Sequence, residues 1–305
     1  MNDEYLQKYT AFYRFTDSHR RAFITSTTIM TPMSVIAVSR DDCTKCGVCV
    51  NVCPAFIISM EKGDYPLVTE DKEKRCMRCG HCEVFCPFDA LKVDFKGDYP
   101  ANFNPRALDI KPDQFGKFMQ SRRSIRQFRK KPVDPRVLDD VMETVRFAPT
   151  AANRQKVHYI VIMDTEKVRR ISALAIEWMQ KVMSEQPDHP YADIFNGMIE
   201  AYDQGIDLVC RNAPHIIFAA VPTNNPFAVT DAAIALTWFE LVAKAYGVGS
   251  CWLGTLKLAA EEYLPIQEEL HIPKGYLPNY ALIFGLPKLR SKGVPKRDPL
   301  SVEYI

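Results

Sequence analysis

Apolar and polar positions recur along the second half of the chain with mostly helical spacing. After Asp134-Pro135, which supplies an N-cap and a proline at the first helical position, Leu138, Val141, Met142 and Val145 follow at that spacing and predict an amphipathic helix. His158 to Met163 reads as a buried strand, and Thr165 to Glu185 and Tyr191 to Tyr202 read as helices. His215 to Val221 predicts a second strand and Asp231 to Tyr246 a long apolar helix that ends at Gly247. Tyr280 to Phe284 predicts a third strand. Long helices and few strands make this part of the chain α+β.

The first hundred residues follow a different pattern. Met33 to Val38 and Leu91 to Phe95 are short strand-like runs that frame two groups of cysteines. Lys96 to Pro112 is rich in Pro, Gly, Asn and Asp, the composition of a linker. The expected organisation is an extension over 1–33 with no assigned function, a small domain over 34–95, a linker over 96–112 and a larger domain over 113–305. A chain of 305 residues has room for both domains. In the extension, Asp3, Glu4 and Asp17 argue against a transit peptide. The plain reading there is a frayed terminus or a start codon placed too early.

Composition adds exclusions. With 47% hydrophobic and 25% charged residues, the chain has the make-up of an ordinary globular protein. A net charge of +2 is too small to argue for nucleic acid. The longest apolar stretches fall well short of the roughly 20 residues that cross a bilayer, and no signal-peptide core stands near the N-terminus. A cytoplasmic chain without a membrane partner is expected. Cysteine usage says more, because eight of the ten cysteines lie between Cys43 and Cys86. In a chain without an export signal, that crowding points to metal or redox chemistry.

Cys43, Cys46, Cys49 and Cys53-Pro54 spell C-x2-C-x2-C-x3-C-P, and Cys76, Cys79, Cys82 and Cys86-Pro87 repeat it. A tight loop with cysteines three apart presents three thiolates to an iron-sulfur cube, and the fourth comes from elsewhere. Paired zinc sites are the alternative for C-x2-C, but zinc requires neither a third cysteine at the same spacing nor a duplicated C-P ending. Over residues 34–95 the sequence resembles bacterial ferredoxins with two 4Fe-4S clusters. The resemblance implies that the last cysteine of each run serves the other cluster. It gives Cys43, Cys46, Cys49 and Cys86 to one cube, and Cys76, Cys79, Cys82 and Cys53 to the other. Such a module carries single electrons. Lys45, Lys74, Arg75 and Arg78 stand beside the cysteines, where they would raise cluster potential, guide an acidic donor or form an ordinary hydrated face. Cys210, Cys251 and the six histidines have no metal-site spacing and default to packing or surface roles.

In the larger domain, SRRSIRQF over Ser121 to Phe128 concentrates arginines around Ser124; alone, a basic run is usually a hydrated face. It is followed by Pro149 to Gln155 (PTAANRQ), Gly247 to Gly254 (GVGSCWLG), Gly285-Leu286-Pro287 and Lys296-Arg297. In this order and spacing the segments resemble the nitroreductase family of FMN enzymes over about residues 113–298. The implied fold is a mixed sheet flanked by helices in an obligate homodimer. The whole is similar to a ferredoxin–nitroreductase fusion.

By that resemblance Arg122 and Ser124, with Lys296 or Arg297, contact the phosphate and ribityl chain of FMN. Arg123 supports the ring or ribityl edge, and Arg126 sits near N1 and O2. Pro149, Thr150 and Asn153 approach the flavin from the partner subunit, with Gln155 supporting their loop, and the amides around Leu253 and Gly254 face N5. Arginines suit these tasks, since phosphate is a dianion and the reduced ring gains negative charge. Gly247-x-Gly249 is no dinucleotide fingerprint, because Trp252 stands where the third glycine belongs and a helix precedes it.

The expected function is a flavin-dependent oxidoreductase with no catalytic side chain, fed through two 4Fe-4S clusters. Its donor would be ferredoxin or NAD(P)H, and its acceptor a small nitroaromatic, quinone or activated alkene. The alternative is an electron-transfer flavo-iron-sulfur subunit between protein partners. A flavin-binding redox sensor is a third reading, for which the sequence offers no signalling segment.

Overall fold

The computed structural model describes residues 35–95 and 108–305. The extension and most of the expected linker lie outside them. The chain divides into two compact units, Met1–Asp98 and Tyr99–Ile305.

The first unit contains β1 (Ile36–Val38), α1 (Val48–Val52), α2 (Glu70–Glu73), α3 (His81–Val84) and β2 (Leu91–Val93). β1 pairs antiparallel with β2, Ile36 opposite Val93. Two three-residue strands cannot bury a core alone. The core is completed by Ile57 and Ile58 and by the sulfur-bearing residues Cys49, Cys53 and Cys82. Glu83 on α3 is buried, accepts the Val93 N–H at 2.9 Å and lies 3.4 Å from Lys92, so one carboxylate ties α3 to β2.

The second unit contains α4 (Pro112–Gln120), α5 (Pro135–Val145), β3 (His158–Ile162), α6 (Thr165–Glu185), α7 (Ala192–Asp203), β4 (His215–Pro222), α8 (Ala228–Ala245), β5 (Gly249–Trp252), α9 (Gly254–Glu262), α10 (Leu264–Glu269) and β6 (Tyr276–Gly285). The sheet order is β3-β4-β6-β5, and each neighbouring pair is antiparallel. A parallel bridge from Ser124 to Ser250 adds the arginine-rich segment at the β5 edge.

Side chains alternate across a strand, and β4 uses both faces. Ile216 and Phe218 join a core built from α6 and α9, while Ile217, Ala219 and Val221 join another built from α5 and α8. Burial on both sides makes β4 a continuous apolar run. His215 at its start fits this environment as a neutral ring. Nε2 accepts the Val133 N–H at 3.0 Å, Nδ1 donates to the Met163 carbonyl at 3.0 Å, and burial lowers its pKa.

Several elements differ from the sequence expectation. β3 is an edge strand in which only Ile162 is buried, because among the described residues no strand covers its outer side. α8 starts at Ala228 and β6 at Tyr276, both earlier than apolar periodicity indicates. The glycine-rich stretch after α8 forms β5, a strand whose pairing with β6 overrides its weak β propensity. Gly247 does end α8, with a left-handed φ of 76°. Among the described residues no helix is long and apolar enough to cross a membrane.

Candidate cofactor sites

The duplicated cysteine motif folds into duplicated backbone. Lys45 and Arg78 (φ 60° and 47°), Gly47 and Gly80 (φ 76° and 74°), and Phe56 and Asp89 (φ 53° and 51°) are left-handed at matching positions of the two runs. Left-handed turns of this kind curl each loop so that successive cysteines face one point. Cys43, Cys46, Cys49 and Cys86 line one small cavity, and Cys53, Cys76, Cys79 and Cys82 line a second. Each cavity therefore draws three thiols from one run and the last thiol from the other.

Among the described residues no group of three or more Cys, His, Asp or Glu could hold a single metal ion. Each set of four sulfurs surrounds a cavity, with apolar walls from residues such as Ile36, Ile57, Val93 and Leu91. Four soft thiol donors around a small cavity with apolar walls fit an iron-sulfur cube. Burial pushes the Cys82 thiol up to about 12 and raises Cys49 and Cys76, so these groups are neutral until a metal displaces the proton. Backbone N–H groups of Arg78 and Ala90 already point at Cys76 Sγ (3.4 Å) and Cys86 Sγ (3.3 Å).

Three of the nearby cations are tied to the unit itself. Lys45 Nζ donates to the Gly63 carbonyl at 2.8 Å and stands over the Tyr65 ring. Arg75 donates to the Ala55 carbonyl at 3.2 Å and Arg78 to the Asp94 carbonyl at 3.0 Å. Lys74 is exposed.

In the second unit, the segment carrying Arg122 to Phe128 is stitched to the sheet. Ile125 N–H donates to the Ser250 carbonyl at 2.8 Å, Arg129 N–H to Leu286 at 2.8 Å, and Lys288 N–H to Gln127 at 2.9 Å. Two clefts flank it. One, of about 570 Å³, is lined by Arg122, Arg123, Lys244, Ser250 and the chain after Pro287. The other, of about 480 Å³, is lined by Arg126 together with Leu253 and Gly254. Arg126 thus shares a cleft with Leu253 and Gly254, whereas Arg122 and Arg123 share the other. Ser124 holds the bridge to Ser250 between them. Arg123 turns back on the end of α4, donating to the Gln120 carbonyl at 2.9 Å and to the Arg122 carbonyl.

Pro149, Thr150, Asn153 and Gln155 line neither cleft. Their loop is left-handed at Ala152, Asn153 and Gln155. It is held by Gln155 N–H donating to Thr150 Oγ1 at 2.9 Å and Ala151 N–H donating to buried Asp231 at 2.8 Å. Lys296 and Arg297 are exposed in the irregular C-terminal segment and line neither cleft.

Sequence reasoning missed Glu240 and Asp231, both buried on α8. Glu240 Oε1 accepts from Arg122 at 3.0 Å, and its Oε2 accepts from Trp252 Nε1 at 3.1 Å. The available signal was an acid set in the apolar run Trp238, Phe239, Leu241 and Val242 of α8, since a buried carboxylate needs a partner. Glu240→Ala leaves a guanidinium and an indole N–H without their acceptor and is expected to cost about 3 kcal/mol, against about 1–2 kcal/mol for Glu240→Gln, which keeps an acceptor for the indole. Urea midpoints of the two variants check the difference.

The sheet with its arginine-edged clefts and the unit with its eight inward-facing thiols define a two-module redox protein. The chain belongs to the nitroreductase family, whose model matches residues 119–286, and it carries a 4Fe-4S dicluster domain over residues 42–91. It is therefore a flavin-dependent oxidoreductase joined to an iron-sulfur electron-transfer module. An FMN reductase [NAD(P)H] of Bacillus subtilis is 29% identical over 192 residues, 62% of this chain and 72% of that protein. Two solved structures share the fold of the larger unit. A BluB-like flavoprotein from Clostridium difficile 630 matches with TM-score 0.51 and 21% identity, covering 61% of this chain and 94% of that one. A nitroreductase with bound FMN from Desulfitobacterium hafniense matches with TM-score 0.50 and 22% identity, covering 62% and 96%.

Proposed function

We propose that this chain is a homodimeric FMN enzyme that takes electrons through two 4Fe-4S clusters and reduces nitroaromatics, quinones or activated alkenes. The observation that carries the reading is the shared cleft of Arg126, Leu253 and Gly254 in a chain that also holds two four-thiol cavities. When bound, FMN supplies hydride chemistry, and the clusters supply single electrons to it.

The protein's own groups bind and polarise. Arg126 sets a cation where the reduced ring gains charge, and the Gly254 amide at the start of α9 is a hydrogen-bond donor for N5, whereas the Leu253 N–H is held by the Ala281 carbonyl at 3.0 Å. Arg122 spends one guanidinium nitrogen on Glu240 and keeps further N–H donors to fork onto the phosphate beside Ser124, with Lys296 or Arg297 completing the shell. In the dimer, Pro149, Thr150 and Asn153 reach the partner's flavin, and Gln155 braces their loop. Exposed Phe227 and Val229 at the start of α8, and exposed Leu300 and Tyr304 in the C-terminal segment, are apolar surface available to that interface. The domain limits are 34–95 and 113–305, the donor is ferredoxin or NAD(P)H, and the setting is the cytoplasm.

Anaerobically prepared protein should carry about eight irons and one FMN per chain. After reduction with dithionite, its flavin absorbance should return on addition of nitrobenzene, a benzoquinone or an activated alkene. A flavin that none of these reoxidises sinks the reductase reading in favour of an electron-transfer subunit, which would copurify with its protein partners.

A further inference from the structure

We propose that Arg211 is a specificity-determining residue of the Arg126 cleft and selects acceptors that carry a carboxylate on a small aromatic body. The proposal rests on the reading that this cleft is where acceptors are reduced. It names the class of acceptor.

The cleft of about 480 Å³ takes two guanidiniums, Arg126 and Arg211, and a single carboxylate, Asp193. Much of the remaining wall is apolar, including Met198, Leu208, Trp252 and Leu256. Among the described residues neither guanidinium has an ion-pair or hydrogen-bond partner, although Arg211 is half-buried. Arg126 has a proposed role toward the flavin ring. Arg211 has none, and a neutral acceptor filling the cleft would shield it from water without pairing it, which is unfavourable. A carboxylate would instead be met by the planar guanidinium fork.

Arg211 is held at the cleft by a built turn. Arg211 and Asn212 are both left-handed (φ 56° and 49°). The Asp207 carboxylate fixes that turn, accepting the Cys210 N–H at 2.8 Å, the Asn212 N–H at 2.9 Å and the Ser172 hydroxyl at 2.7 Å. Non-glycine residues held in this conformation cluster at ligand-binding sites. The apolar walls suit an aromatic ring, and the two cations against one acid suit an anion at its edge.

The test uses the oxidised holoenzyme and two pairs of probes. By calorimetry, benzoate should bind at least about tenfold more tightly than benzyl alcohol, and the preference should vanish in Arg211→Gln and Arg211→Asn, as expected for a charge-assisted hydrogen bond. Asparagine tolerates the left-handed backbone, so that variant separates loss of the guanidinium from a collapsed turn. In turnover, Arg211→Asn should raise KM for 4-nitrobenzoate about tenfold with kcat unchanged, and leave nitrobenzene unaffected. Equal affinity of the wild type for benzoate and benzyl alcohol, or undiminished benzoate binding in both variants, overturns the proposal. Arg211-dependent benzoate binding without reduction of either nitro compound keeps the carboxylate site and fails only the reductase reading.

Discussion

Replacing Cys49 and Cys53 together with serine should strip the chain of both proposed iron-sulfur clusters, while replacing Cys53 and Cys76 should remove only one. All three residues belong to the duplicated motif, and Cys49 and Cys53 sit in the same run. The cavities are nevertheless shared between runs, because Cys49 lines the cavity with Cys86, and Cys53 lines the one with Cys76. A cube bound by four thiolates tolerates loss of one ligand poorly, so each affected cavity counts as lost. Iron should fall from about eight per chain to near zero in the first double variant and to about four in the second. If each run held its own cluster the results would be exchanged, and that exchange would refute the cross-ligation. Flavin content gives the control, since both variants should retain it.

Gly249→Val should break the larger unit's hold on its flavin. A Cβ at this position would stand 2.6 Å from Ile125 Cγ1, 2.9 Å from Ile125 Cβ and 2.9 Å from Pro287 Cγ. Ile125 cannot swing away, because its Cβ is itself one of the close atoms and its N–H is bound to the Ser250 carbonyl at 2.8 Å. The whole segment from Arg122 to Phe128 must lift off β5, taking Arg122 and Arg126 with it. Overpacking of this kind costs about 1–3 kcal/mol, with alanine at the low end and valine at or beyond the high end. The expected results are a lowered Tm and flavin lost on gel filtration. Gly116→Ala on α4 is the matched control, since nothing lies within 4 Å of its added Cβ and alanine favours a helix. Retention of flavin at wild-type stability by Gly249→Val would refute the role given to this contact.

Much of the chain was legible because its signals are local. Asp134 caps α5 by accepting the Arg136 N–H, and α6 spans the residues its periodicity marks, since capping and helical spacing act within a few turns. The cysteine runs were legible for the same reason: thiols three apart in a tight loop encode a convergent geometry. Less was legible where a strand's status depends on its neighbours. β3 reads as a buried strand but occupies a sheet edge, and β5, a stretch to which the sequence assigns no element, is a strand because β6 holds it.

By itself, the sequence determined that this is a two-part redox chain, because ligand spacing, caps and apolar periodicity are written in consecutive residues. Tertiary structure alone decided how distant residues meet. It buried Glu240 between Arg122 and Trp252 and brought Arg211 to the cleft of Arg126. Such pairings follow from the packing of α8, β5 and the turn before β4. Packing is a property of facing surfaces, and spacing along the chain carries no record of it.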